Sequence, residues 1–215
     1  MIRIYGFMAL RPWFECVGGS NRKDTGHFKL IMGVACALFV SMLSLSAASS
    51  ATLPEMMLAG DKQEPIAISS LKGDSEVLVL VFAASTCPIT TLYWQRIKGA
   101  WYNYRDQGTR MVIVGGNSDD QPDAIRAKLK DLDLDLPVLW DNKHLVAKKL
   151  GLEHTPTVVV IGRDWQICYR GRIDDFWRDE SRVKRRYLDE AISEALAGRK
   201  VTDHADAAFM GSFMR

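Results

Sequence analysis

Residues 77–91 read VLVLVFAASTCPITT, and this stretch decides how the rest of the chain folds. Val77, Leu78, Val79, Leu80, Val81 and Phe82 form an unbroken apolar, valine-rich run, the pattern of a strand covered on both faces. The small residues 83–86 end it. Beyond Cys87, Ile89, Leu92, Tyr93, Ile97, Ala100, Trp101 and Tyr104 recur at helical spacing, and Pro88 suits the first helical turn, where a missing N–H costs nothing. Cys87 therefore stands where a strand gives way to a helix. Its sulfur faces unpaired N–H groups and the positive end of a helix dipole, a setting that favours the thiolate, which is the reactive form.

Further elements alternate along the chain. Residues 111–116 form a second buried strand ending in glycines and the polar loop 117–120, and 122–132 a helix. Residues 136–140 form a strand closed by Asp141, and 145–150 a short helix stopped by Gly151. Pro156 precedes the β-branched run 157–161 and marks that strand's start. A hairpin turn at 162–165 leads into 166–171, where Cys168 falls opposite Val159. Residues 181–197 read as one helix capped by Ser181, with an apolar face of Val183, Tyr187, Leu188, Ala191, Ile192, Ala195 and Leu196. Alternation of strand and helix implies a parallel α/β core.

The beginning of the chain reads differently. Residues 30–48 are apolar and uncharged, follow Arg22, Lys23 and Lys29, and run into small residues, so 1–51 is expected to be a leader. It is either a signal peptide cleaved after Ala48 or Ala51, or a retained membrane anchor. The domain is expected over 52–201, with a tail over 202–215 that has no trustworthy periodicity. Of 28 basic and 26 acidic residues, the leader takes five and two, leaving the remainder at a net −1. That balance argues against nucleic acid as a partner, and makes the membrane a partner only if the leader is retained. Cys16 and Cys36 leave with a cleaved leader. Cys87 and Cys168 are then too few for a disulfide framework or a cysteine-rich metal site.

Cys87-Pro88, Tyr93, Asn117-Ser118, Thr155-Pro156 and the run YRGRIDD at 169–175, in this order over about residues 58–201, resemble the redoxins of the alkyl hydroperoxide reductase and thiol-specific antioxidant superfamily. More narrowly, they resemble a bacterial subgroup marked by YRGRIDD. The resemblance implies a thioredoxin-like α/β fold with a central mixed sheet flanked by helices. It also implies a cis peptide bond at Thr155-Pro156, which exposes backbone beside the thiol for a partner strand. On this reading Cys87, Thr90, Thr155 and Pro156 carry the chemistry, and Thr86, Pro88, Asn117 and Arg170 are candidates for the pocket. Arg170, Arg172, Asp174 and Asp175 either line that pocket or form a solvated turn.

The departures from the family pattern restrict the chemistry. Thr90 stands where a Cys-x-x-Cys pair would have its second thiol, so the local dithiol cycle is excluded, while the Thr90 hydroxyl suits donation to a thiolate. Peroxidatic redoxins carry proline and threonine where this chain has Leu80 and Ala84. The tail has Ser212 where relatives often have a cysteine, which leaves Cys168 as the one candidate resolving thiol, itself expected to be a core residue. His154 is a candidate base. No cofactor is expected, and His144, His154 and Cys87 lack metal-ligand spacing. The expected activity is an exported, periplasmic thiol-dependent oxidoreductase or antioxidant. It would act on a peroxide or on a protein or small-molecule disulfide, with an external thiol as reductant. The alternative is a binding protein on the same scaffold with little turnover.

Overall fold

The computed structural model describes residues 53–201 and 211–214. The leader, with Cys16 and Cys36, and most of the tail lie outside the described residues. Among the described residues no helix is long and apolar enough to cross a membrane.

The strands are β1 (Met57–Ala59), β2 (Pro65–Ala67), β3 (Val77–Phe82), β4 (Thr109–Gly115), β5 (Val138–Trp140), β6 (His154–Thr155), β7 (Thr157–Ile161), β8 (Ile167–Gly171) and β9 (Ser212–Phe213). The α-helices are α1 (Ile68–Lys72), α2 (Pro88–Tyr104), α3 (Pro122–Asp131), α4 (Leu145–Lys149) and α5 (Tyr187–Leu196). Seven strands make one mixed sheet in the order β2-β1-β5-β4-β3-β7-β8, and β6 pairs with β9 separately. β3, β4 and β5 are parallel, whereas β7 runs antiparallel to β3 and β8 antiparallel to β7. The sheet is therefore mixed. Its parallel part accounts for the continuous apolar runs, because helices cover both faces there.

β3 lies inside the sheet between β4 and β7, and its six side chains alternate between two cores. Val77, Val79 and Val81 pack with Tyr93, Trp94 and Ile97 of α2 and with Leu188 and Ile192 of α5. Leu78, Leu80 and Phe82 pack with Ile68 and Leu71 on one side of that layer and with Val146 and Ala147 of α4. Each fully buried side chain of this size contributes about 1.5–3 kcal/mol, which makes β3 the fixed reference for the residues that follow it.

Two sequence expectations need correction here. The helix expected over 181–197 begins only at Tyr187. Glu180–Arg182 form a single tight turn, Asp179 rather than Ser181 is its cap, and the chain then runs extended. The carboxylate of Asp175 accepts from the Lys184 N–H at 3.0 Å, and its own N–H donates to the Arg185 carbonyl at 3.1 Å. Those bonds hold the segment open, and Arg182, Lys184 and Arg185 in a first helical turn would oppose the helix dipole. The second correction is the hairpin register. Val159 faces Arg170, and a bulge between Val160 and Ile161 leaves Cys168 without a directly opposed partner.

Candidate active site

Cys87 is the N-cap residue of α2, with extended backbone and Pro88 directly after it. Its carbonyl accepts from the Thr91 N–H at 3.2 Å and from the Thr91 hydroxyl at 3.3 Å, so the first turn is closed over the cysteine. A carboxylate fixes the approach to it. Asp120 accepts from the N–H and hydroxyl of Ser85 at 2.7 and 3.0 Å, and from the N–H groups of Gly116 and Asn117 at 3.1 and 2.9 Å. One side chain thus ties the exits of β3 and β4 together, two residues ahead of the sulfur. The sequence reading expected a polar loop beside this corner but did not single out Asp120.

The opposite wall is the turn into β7. The Thr155-Pro156 bond is cis, and the Cys87 S–H donates to the Thr155 carbonyl at 3.2 Å. Cys87, Thr155 and Pro156 are therefore together, joined by residues 68 positions apart in sequence. Thr90 is wholly buried one turn along α2, and its hydroxyl makes no geometrically complete hydrogen bond. Its proton is available to the sulfur.

Cys87 is only 1% exposed, less than a reactive thiol needs to meet a partner. Its cover includes Ser212 of β9. Burial by itself pushes the thiol up. The hydrogen bonds outweigh it: the Ser212 hydroxyl first, then the N–H groups of Thr90 and Ser212, then the Thr90 hydroxyl, which together bring the thiol from 9.0 down to about 7. In the protonated state the S–H points at the Thr155 carbonyl. On ionisation that bond is lost, and the hydroxyl and amide donors stabilise the charge. The family resemblance singled out Ser212 as the place of a cysteine in relatives, but the spacing gave no sign that it returns to the sulfur, because a two-residue strand has no periodicity to read.

The other candidates divide clearly. Thr86 and Pro88 are exposed on either side of Cys87, and Asn117 is half-buried in the Asp120 loop. Arg170 is exposed on β8 and donates to the Leu150 carbonyl at the end of α4, so no hydrogen bond commits it to the thiol. Asp174 neither lines the thiol pocket nor sits in a solvated turn. It is buried, and it accepts from Arg96 at 2.5 Å, from the Tyr93 hydroxyl at 2.8 Å and from the Phe176 N–H at 3.0 Å. Burial and Asp174 raise the Tyr93 phenol well above its ordinary value, so it remains a donor. This cluster pins the 169–175 run to α2.

Cys168 is half-buried against Gly162, with its S–H directed at the Gln166 carbonyl at 3.7 Å. Burial and the Asp164 charge raise its pKa. Ile161 pairs with Leu78 and Thr157 with Phe82, so Cys168 and Cys87 lie at opposite ends of the sheet, separated by roughly 13 Å of strand. A disulfide needs Cα atoms within about 7 Å. His154 flanks the ledge with its ring 4.3 Å from that of Phe213. Among the described residues no group of three or more His, Cys, Asp or Glu side chains is placed to hold a metal.

Residues 50–170, more than half of the sequence, match the AhpC/TSA family. The chain belongs to that family. No curated protein matches it significantly. Similar folds among solved structures of known sequence include a hypothetical protein from Sinorhizobium meliloti 1021, 22% identical, with a TM-score of 0.66 over 77% of this chain and 92% of that one. A conserved uncharacterised protein from Geobacillus kaustophilus is 21% identical, with a TM-score of 0.66 over 77% and 90%. A thiol:disulfide interchange protein of the thioredoxin family from Chlorobium tepidum is 17% identical, with a TM-score of 0.52 over 68% and 97%. At these identities the likeness establishes the thioredoxin-like fold of this AhpC/TSA protein and nothing further.

Proposed function

We propose that this AhpC/TSA protein is an exported thiol-dependent oxidoreductase that works through Cys87 alone, with disulfides as its substrates. One observation carries the reading: a cysteine sulfur at the start of a 17-residue helix, with its pKa lowered to about 7, lies 3.2 Å from the carbonyl that precedes a cis-proline. A thiol of that acidity is about half ionised at neutral pH, against roughly one part in a hundred for a thiol near 9. The Cys87 thiolate attacks one sulfur of a substrate disulfide, forming a mixed disulfide and releasing the other sulfur as a thiolate. An external thiol then attacks the mixed disulfide, carries away the substrate half as a new disulfide and returns Cys87 as thiolate. Thr90 and Ser212 stabilise the ionised sulfur, and the backbone of Thr155 and Pro156 is the ledge for the substrate.

Disulfides are favoured over peroxides because the ledge offers backbone for an extended segment, while Leu80 and Ala84 stand where a peroxidatic site has polar or rigid residues. Cys168 takes no part, and the cycle needs no cofactor. Export rests on the 1–51 leader, with the working domain over 52–201 and the tail after it; membership of the YRGRIDD subgroup rests on residues 169–175. The test is the pH dependence of Cys87 alkylation in the full chain, together with its reduction of a glutathionylated peptide and of hydrogen peroxide. The reading expects a midpoint near 7 and faster turnover of the peptide, both lost in Cys87→Ser. A midpoint near 9 without exchange would leave the second reading, a binding protein, which the 1% exposure of Cys87 favours.

A further inference from the structure

Residues 211–214 return to the domain and take up the ledge beside the thiol. His154 pairs with Phe213 and Thr155 with Ser212, antiparallel, and the Met214 N–H donates to the Glu153 carbonyl at 2.9 Å. Met214 packs on the core face of Leu78 and Phe82. Gly211 passes so close to the ledge that a Cβ there would lie 1.9 Å from the Thr155 oxygen, and the Phe213 ring rests on His154. Between them, Ser212 pairs with Thr155, whose carbonyl receives the Cys87 S–H at 3.2 Å, and its hydroxyl and N–H lower the Cys87 pKa.

Three consecutive residues therefore satisfy three separate requirements of one site. The first must be small, because the carbonyl that receives the Cys87 S–H leaves no room for a side chain. The second is paired with Thr155 beside the sulfur, and its hydroxyl lowers the thiol's pKa. The third supplies an aromatic ring for the imidazole. Serine and cysteine differ at that γ atom alone, so the Ser212 oxygen stands where the sulfur of a bound cysteine would stand. Strand pairing supplies affinity without sequence demands, and the side chains supply the selection.

We infer that the ledge is a binding site for an extended protein segment with a small residue, a cysteine and an aromatic residue in consecutive positions, and that β9 holds this site in cis until such a segment displaces it. The inference rests on the exchange reading of Cys87. In the exchange the Cys87 thiolate forms a bond to the substrate cysteine's sulfur, while that sulfur's bond to its former disulfide partner breaks and the partner leaves as a thiolate. Because the closing strand ends in serine, it has no bond to exchange and occupies the site without reacting.

The experiment uses the full chain and iodoacetamide, following Cys87 alkylation from pH 5 to 10 by peptide mass spectrometry. Gly211→Ala and Gly211→Val each set a Cβ against the Thr155 oxygen and expel β9, while folding is checked by circular dichroism. Both are expected to raise the plateau alkylation rate by about tenfold or more, the scale set by releasing a short paired strand, and to move the midpoint upward as the Ser212 donors leave. Ser212→Ala keeps the cover, so its midpoint rises with little change in plateau. The acetylated hexapeptide Phe-Met-Gly-Ser-Phe-Met, added to Gly211→Val, is expected to restore protection, and the same peptide with valine for glycine is not. Unchanged plateau rates in both glycine variants, or equal protection by the two peptides, would overturn the inference. Protection by the first peptide alone, in a protein that exchanges no disulfide, would support the occupied ledge and refute only the oxidoreductase reading.

Discussion

Thr90→Val tests the electrostatics of the site, because it removes one hydroxyl while keeping the shape. Thr90 Oγ1 is fully buried and makes no complete hydrogen bond while the thiol is protonated, so at low pH the wild type carries the desolvation of an unsatisfied hydroxyl. Relieving it is expected to stabilise the variant by about 1 kcal/mol at pH 6, the lower end of the usual range for such groups. The balance changes as Cys87 ionises. Its folded pKa of about 7 lies below the unfolded value near 9.0, so the thiolate contributes stability that is complete above about pH 9 and is lost as the pH falls through 7. The Thr90 hydroxyl is the smallest of the four donor contributions, and losing it should raise the folded pKa by up to about one unit, or about 1.4 kcal/mol of the thiolate's stabilisation. The advantage of the variant at pH 6 should therefore shrink to about zero by pH 9.5. Urea unfolding followed by tryptophan fluorescence at both pH values, with iodoacetamide kinetics for the pKa, measures both effects. A variant less stable than wild type by about 1 kcal/mol at pH 6, with an unmoved thiol midpoint, would refute the argument that this hydroxyl serves the sulfur.

Three further outcomes follow from the geometry. Asp174→Ala strands the buried Arg96 guanidinium and should cost about 3–4 kcal/mol in urea unfolding, with the Cys87 alkylation midpoint unchanged; a loss under about 1 kcal/mol would show that the cluster is not a buried ion pair. In Ser212→Cys, one equivalent of hydrogen peroxide should oxidise Cys87 to sulfenic acid with release of water. The introduced thiol then condenses with it, releasing a second water and leaving a disulfide that mass spectrometry detects; recovery of sulfinic acid alone would contradict the contact with Ser212. Cys168→Ser should leave disulfide exchange and the Cys87 midpoint unaltered, whereas a large fall in turnover would return Cys168 to the mechanism.

The parts of the fold readable from sequence are those governed by local rules. The strand 77–82 was legible because a six-residue apolar run covered on both faces has few other fates, and the Cys87-Pro88 corner because N1 proline and the helical spacing agree. Thr155-Pro156 needed the family resemblance, since an X–Pro bond carries no local sign of its isomer. The helix expected at 181 was misread because Ser181 resembles a cap, while the bonds that hold the chain extended come from Asp175, a loop residue several positions away. Asp174 resembled a surface charge because nothing in the spacing reveals that Arg96, 78 residues earlier, faces it. The Cys87 environment was half legible for the same reason. Thr90 belongs to the cysteine's own helix, whereas Ser212 arrives from the far end of the chain through a pairing of two residues.

The Asp120 carboxylate has a consequence for turnover. It grips Ser85 on one strand exit and Gly116 and Asn117 on the other, so the main chain leading to the sulfur has little freedom to adapt. Any give needed to admit a reactant must come from the facing wall, where residues 211–214 are fastened by only a few main-chain bonds. Acidity and admission thereby meet in the same short stretch, since Ser212 both covers the sulfur and helps it ionise. Changes near Met214 that open the cleft more often should therefore also make the sulfur harder to ionise, because Ser212 leaves with the strand.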